Sequence, residues 1–312
     1  MHDLSPAAAE RSRLGVVLVA TGGACFSTGL PVLDGMAVER VFPAAEPAGM
    51  AGPFMLSRAE GWLLGAATVP TGGIIELATR ELYTALFAVT RGMHLARVWN
   101  YVPAINAPEA CGLERYRAFS RGRSLAFEAE FGRDFQRFVP AASAVGTDAA
   151  KLVVIFAATH RRLRHVENPR QLPAYEYPVE HGPRPPSFAR ATVVPGVDGR
   201  HDVFISGTAA IRGHATLAPG ETLPQLASTL ENLREISVAC GLGADLARGR
   251  AAVRHFKVYL RDAADLGAVR SLLDRELFGP GDQVSYLRSD ICRRELTIEI
   301  EATLIGAEAG GE

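Results

Sequence analysis

The chain predicts an α+β fold made of two tandem copies of one β-β-α-β-α-β-β unit, with helices packed on one face of mixed sheets. Three observations predict it. Each half contains a segment with apolar residues at helical spacing that ends at glycine and runs into a strand-like stretch. Each half then has a second helical stretch followed by two more strand-like runs, and each opens with a pair of short strands.

Taken in order, the first half pairs a strand over residues 15–20 with one over 61–68, then has a helix over 79–92 and a strand over 96–102. Its second helix covers 114–119, and its last strand is the apolar run 150–157. In the second half, strands over 191–194 and 202–206 precede a helix lined by Leu226, Leu230, Leu233, Ile236 and Val238, which stops at Gly241. A strand over 255–260, a helix over 264–278 and a last strand over 295–302 complete the copy. Two domains result, 1–159 and 191–312, joined by residues 160–190.

A chain of 312 residues, 48% hydrophobic and 21% charged, has the composition of an ordinary globular protein. A net charge of -1 gives no field to gather nucleic acid. Of 33 basic residues only Lys151 and Lys257 are lysines, a bias expected of GC-rich coding that also suits bidentate carboxylate recognition. The cysteines at 25, 111, 240 and 292 form no C-x-x-C pair, which argues against a zinc site or a disulfide framework and fits a reducing cytosol. The apolar run 14–20 is too short to span a bilayer and reads as a buried strand. No H-E-x-x-H occurs, and Gly241-Leu-Gly243 follows a helix rather than a strand, so no metal or cofactor motif remains.

The connector is unlike a tether, which would favour Gly, Ser and charge. Residues 167–190 hold two tyrosines, three arginines and several prolines, and are expected to pack into a site between the halves. On the last strand, Thr297, Glu299, Glu301 and Thr303 point one way and Leu296, Ile298, Ile300 and Ala302 the other. Alone, that pattern reads as a half-buried strand with an acidic solvent face. Any single arginine reads as a solvated surface residue, and Cys292 as a small buried hydrophobe.

The second half, with Val203-Phe-Ile-Ser-Gly-Thr208, Gln225, Asn232, Gly241 and Ile298-Glu-Ile-Glu301, resembles the YjgF/RidA fold of small imine-deaminating proteins. The whole chain from about residue 60 to about 304 is similar to the chorismatases, which carry a degenerate and a well-formed copy of that fold. Arg97-Val-Trp-Asn-Tyr-Val-Pro-Ala-Ile-Asn106 and Gly182-Pro-Arg-Pro-Pro-Ser-Phe-Ala-Arg190 carry this resemblance. It implies an enzyme acting on chorismate, a dianion that needs arginine forks and phenolic hydroxyls in a partly dry pocket. By similarity, Tyr116, Arg123, Tyr177 and Arg190 would bind substrate, and Glu299 would protonate the enolpyruvyl methylene. That proton transfer requires a carboxylic acid whose pKa is raised by burial. Cys292 and Gly207 resemble the lyase type, which releases pyruvate and 3-hydroxybenzoate; Cys292 would act catalytically in rearomatisation, and Gly207 would leave room for the substrate ring. No metal or organic cofactor is implied. A cytoplasmic monomer or homotrimer is expected.

Three alternatives accompany this reading. One is a chorismatase hydrolase yielding pyruvate and a dihydroxycyclohexadienoate. Another is an imine deaminase like the single-domain relatives; these need an arginine where this chain has Val284, with Arg288 close by. The third is a non-catalytic ligand-binding module that kept the fold.

Overall fold

The computed structural model describes residues 24–26, 29–35, 39–42, 45–71, 73–196 and 198–309. Its first part runs β1 (Ala24–Phe26), β2 (Val32–Gly35), β3 (Glu39–Phe42), β4 (Glu46–Ala51), β5 (Phe54–Ala59), β6 (Trp62–Pro70), α1 (Ile75–Val89), β7 (His94–Pro103), α2 (Arg115–Phe131), β8 (Ala141–Thr147) and β9 (Lys151–Thr159). Then come β10 (Arg164–Val166), β11 (Ala191–Pro195), β12 (Arg200–Thr208), β13 (Ile211–Arg212), β14 (Ala215–Thr216), α3 (Thr222–Ala239), β15 (Val253–Leu260), α4 (Leu266–Glu276), β16 (Gln283–Arg288) and β17 (Ile298–Glu308).

The two main sheets repeat one topology. The first has the order β4-β5-β6-β9-β7-β8 and the second β10-β11-β12-β17-β15-β16-β2. In each, the strand after the first helix pairs in parallel with the strand after the second helix, β7 with β8 and β15 with β16. The last strand of each unit lies antiparallel between its neighbours. The β-β-α-β-α-β-β pattern therefore occurs twice.

Several expected elements shift. The strand predicted over 15–20 lies outside the described residues, and the hairpin partner of β6 is β5, joined through Glu60-Gly61. The first helix covers 75–89 rather than 79–92, because Ile75 and Thr79 already sit on its buried face. The helix expected to end at Phe119 continues to Phe131, burying Ala126 and Phe127 in the same core. Val238 was expected on the buried face of α3, yet it is 56% exposed, since the helical register of Leu226, Leu230, Leu233 and Ile236 turns it outward. β2 joins β16 at the far edge of the second sheet.

Alternation along the strands builds three cores. Leu152, Val154, Phe156 and Ala158 of β9 face α1 and α2, whereas Val153, Ile155 and Ala157 point to the opposite side. In the second sheet Ile298, Ile300, Ala302 and Leu304 face α3 and α4. The other faces of the two sheets meet, and Trp62, Trp99, Phe204, Tyr259 and Leu287 fill the space between them. The order of layers is helices, sheet, sheet, helices, with the strand faces opposite the helices buried against each other. No helix among the described residues is long and apolar enough to cross a membrane.

Candidate active site

This layering decides what the acidic face of β17 does. Glu299 and Glu301 would meet solvent on an isolated sheet, but the first sheet covers them and they are only 3% and 2% exposed. Their environments differ. Glu301 is neutralised across the sheet-sheet boundary: it accepts from Arg97 Nη2 at 2.8 Å and Trp99 Nε1 at 2.8 Å on β7, and lies 2.7 Å from Lys257 Nζ on β15. Glu299 has no such partner among the described residues, and its Oε1 is buried without a hydrogen bond there. Burial, then the negative charge of Glu301, push its carboxyl up to about 8, against the opposing pull of Arg97 and Arg190. Glu299 therefore holds a proton at neutral pH.

Gly207 lies beside it on β12, where the ladder to β17 shifts register between Ile205 and Thr208. A Cβ at this position would stand 1.9 Å from Glu299 Oε1. Glycine is what allows the carboxyl to occupy its place. Cys292 lies in the segment between β16 and β17, and burial, followed by the nearby Glu299, pushes its thiol up to about 12. It stays protonated, able to give or relay a proton but poor as a nucleophile.

The opposite wall comes from α2 and the Pro-rich segment. Tyr116 lies in the first turn of α2; burial raises its phenol above the usual tyrosine value, and the neighbouring Cys292 adds to the shift. Arg123, two turns further on and 1% exposed, places its guanidinium 5.2 Å from the Phe119 ring centre and 5.9 Å from that of Phe188. No carboxylate among the described residues lies within ion-pair distance of it. Arg190 Nη2 donates to the Tyr177 hydroxyl at 2.7 Å and to the Leu172 carbonyl at 3.0 Å, which holds the guanidinium where β11 begins. Glu167, 3.9 Å from Arg190 Nε, is itself raised to about 7, mainly by burial.

Tyr116, Tyr177, Arg190, Gly207, Cys292 and Glu299 line one cleft of about 380 Å³. An adjoining void of about 20 Å³ adds Arg123 to Tyr116, Gly207, Cys292 and Glu299. All seven residues singled out in the sequence thus come together. The cleft also uses residues that sequence reasoning passed over: Arg117, His181, Phe188, Arg293 and Arg294. Arg293 is pinned by Nη1 bonds to the His214 carbonyl at 2.8 Å and Thr216 Oγ1 at 3.1 Å, with its guanidinium 5.3 Å from the Tyr177 ring centre. Arg294 Nη2 donates to the Asn106 carbonyl at 2.9 Å. A doubled arginine directly after Cys292 was the available signal. Lys257, one of only two lysines in the chain, was a signal for the ion pair that fixes Glu301. A cleft with cationic walls, an aromatic and aliphatic lining and one neutral carboxylic acid on its floor suits protonation of a small anionic, electron-rich substrate.

Comparison with known proteins gives a consistent result. The model described as "Chorismatase FkbO/Hyg5-like, N-terminal" matches residues 42–158. A 3-hydroxybenzoate synthase from Streptomyces hygroscopicus is 38% identical over 252 residues, 77% of this chain and 73% of that protein. A chorismatase from Streptomyces rapamycinicus is 40% identical over 258 residues, 80% of this chain and 76% of its own. A crystal structure of a chorismatase superimposes with a TM-score of 0.74 at 35% identity, covering 86% of this chain and 81% of that one.

Proposed function

The chain belongs to the chorismatase family of enzymes, and from that premise we propose that it converts chorismate to 3-hydroxybenzoate and pyruvate. The observation that carries the reading is the buried Glu299 under Gly207, its Oε1 without a hydrogen bond among the described residues and its carboxyl pushed up to about 8 by burial, in an arginine-lined cleft. The two carboxylates of chorismate are bound by Arg190 and Arg123, with Tyr177 and Tyr116 supplying hydroxyls. Residues 160–190 act as part of the site and not as a tether between 1–159 and 191–312.

In this reading Glu299 gives its proton to the enolpyruvyl methylene, leaving an oxocarbenium ion at the ether carbon and a carboxylate at Glu299. The C4 hydroxyl oxygen attacks C3 as the C3–O bond to the activated group breaks, its proton passing back to the Glu299 carboxylate; pyruvate leaves and an epoxide bridges C3 and C4. Cys292, kept as a thiol, protonates the oxygen as the C4–O bond of the epoxide opens, and the ring proton lost from C3 returns to the Cys292 thiolate as aromaticity is restored. The two products together hold all the atoms of the substrate, so no co-reactant is consumed. The small Gly207 gives the ring space to bring the hydroxyl into line.

Incubation with chorismate in chelating buffer, with chromatography of the products and a parallel pyruvate assay, tests this. Equal amounts of pyruvate and 3-hydroxybenzoate support it. Pyruvate with a non-aromatic diol assigns the hydrolase type instead, and absence of pyruvate overturns the reading in favour of an imine deaminase or a binding module. Cys292→Ala is expected to lose 3-hydroxybenzoate while part of the pyruvate release persists; an unchanged product ratio removes Cys292 from the mechanism.

A further inference from the structure

One cluster of titratable side chains at the cleft has no part in this chemistry. Glu180 and His181 lie on the single helical turn Val179–His181 of the Pro-rich segment, and His214 on the link between β13 and β14. His181 Nε2 is 3.0 Å from His214 Nδ1, while Glu180 Oε1 is 3.3 Å from the same His214 nitrogen and 3.5 Å from the same His181 nitrogen. The point equidistant from these three atoms lies about 1.9 Å from each, close to the ~2.0–2.1 Å of zinc bonds to imidazole and carboxylate. Two facing neutral imidazole nitrogens can share only one proton, whereas a divalent cation accepts a lone pair from all three atoms at once.

The backbone that carries His214 is already fixed. Gly213 donates its N–H to the Arg170 carbonyl, and its own carbonyl accepts the Leu172 N–H. Two nitrogen donors and one carboxylate disfavour magnesium and calcium, which prefer oxygen ligands, and suit zinc with one position left open. We propose that Glu180, His181 and His214 form a binding site for a zinc-class divalent cation that closes the mouth of the cleft and inhibits turnover. The inhibition, though not the binding, rests on the chorismatase reading. Its geometric basis is that His181 lines the cleft and packs its ring 5.2 Å from that of Tyr177, whose hydroxyl holds Arg190. An ion joining the Pro-rich turn to the hairpin would fix this side of the entrance and slow the exchange of substrate and product.

The test titrates the full-length, metal-free protein with cobalt(II), followed by its visible absorption, and with zinc, followed by calorimetry and by pyruvate release from chorismate. One equivalent per chain and at least a tenfold, chelator-reversible loss of turnover are expected. His214→Ala and Glu180→Gln should weaken binding by at least about tenfold and abolish the inhibition, with metal-free turnover unchanged. Cys111→Ser, which removes the thiol exposed among the described residues, should change nothing. Absence of stoichiometric binding, binding that survives His214→Ala, or binding lost with Cys111→Ser overturns the site. Stoichiometric binding with undiminished turnover overturns the inhibitory role. A protein that binds one zinc through these residues but never releases pyruvate refutes the chorismatase reading and leaves the site standing.

Discussion

The protonation state of Glu299 links its burial to two measurable consequences. With its carboxyl raised from 4.5 to about 8, the acid form is present below about pH 8, so kcat/KM for pyruvate release should fall as pH rises through that value. Glu299→Gln should lower turnover by about 10²–10⁴-fold, with loss of both products. The stability effect runs in the same direction. Between pH 4.5 and about 8 the folded chain keeps a proton that the unfolded chain releases, so this site's contribution to stability declines as pH increases across that window. The glutamine variant lacks this penalty and should melt at or above the wild-type temperature at pH 8, a result that calorimetry checks and that separates lost chemistry from lost folding. Gly207→Ala brings a methyl group to 1.9 Å from Glu299 Oε1, forcing the carboxyl aside; a decrease in kcat of about 10²-fold with unchanged circular dichroism is expected. Which carboxylate of Glu299 and Glu301 is neutral could not be read from strand alternation alone, because the two share a face. The ion pairs that distinguish them come to Glu301 from residues 44 and 204 positions away.

At the scale of elements, most of the fold was legible because apolar period and punctuation agreed. The repeat of helix and strand in both halves appears at nearly the expected positions with shifted ends, while the strand that opens the first unit is β5 and not the run 15–20, which lies outside the described residues. The extension of α2 to Phe131 went unread because Gly122 and a run of charge blur the helical pattern there. That glycine has a packing role. A Cβ on Gly122 would approach the Glu76 carbonyl oxygen of α1 to 2.3 Å, so the two helices cross at a contact too close for any side chain. Gly122→Ala should therefore destabilise the protein by about 1–3 kcal/mol through forced separation of the helices, despite the better helix propensity of alanine. Urea unfolding measures it, and a variant as stable as wild type or more so would mean that the helices give way freely.

For the whole molecule, the informative feature is the burial of two strand faces against each other, which no single segment announces. The last strand alone reads as half-exposed, and only the stacking of sheets turned its acidic solvent face into a buried site. The Arg97, Glu301 and Lys257 group crosses that boundary, so it couples the assembly of the halves to the chemistry of Glu299. Glu301→Gln removes a negative charge that raises the Glu299 pKa and leaves the two cations without that carboxylate. The alkaline limb of the pH profile should move to lower pH, and stability should fall by about 3–5 kcal/mol, as for other broken buried ion pairs. A limb that stays in place would show that burial alone sets the acid. The edge of the second sheet also has a history written into it. β2 precedes its partner β16 by about 250 residues, a separation that favours slow, late pairing. On the ribosome this short strand emerges well ahead of β16 and must wait for about 250 residues to be made before the edge it covers exists. Once β16 has formed, and until β2 closes on it, that edge is open to strands of other chains, and that interval is when this protein is most exposed to mispairing.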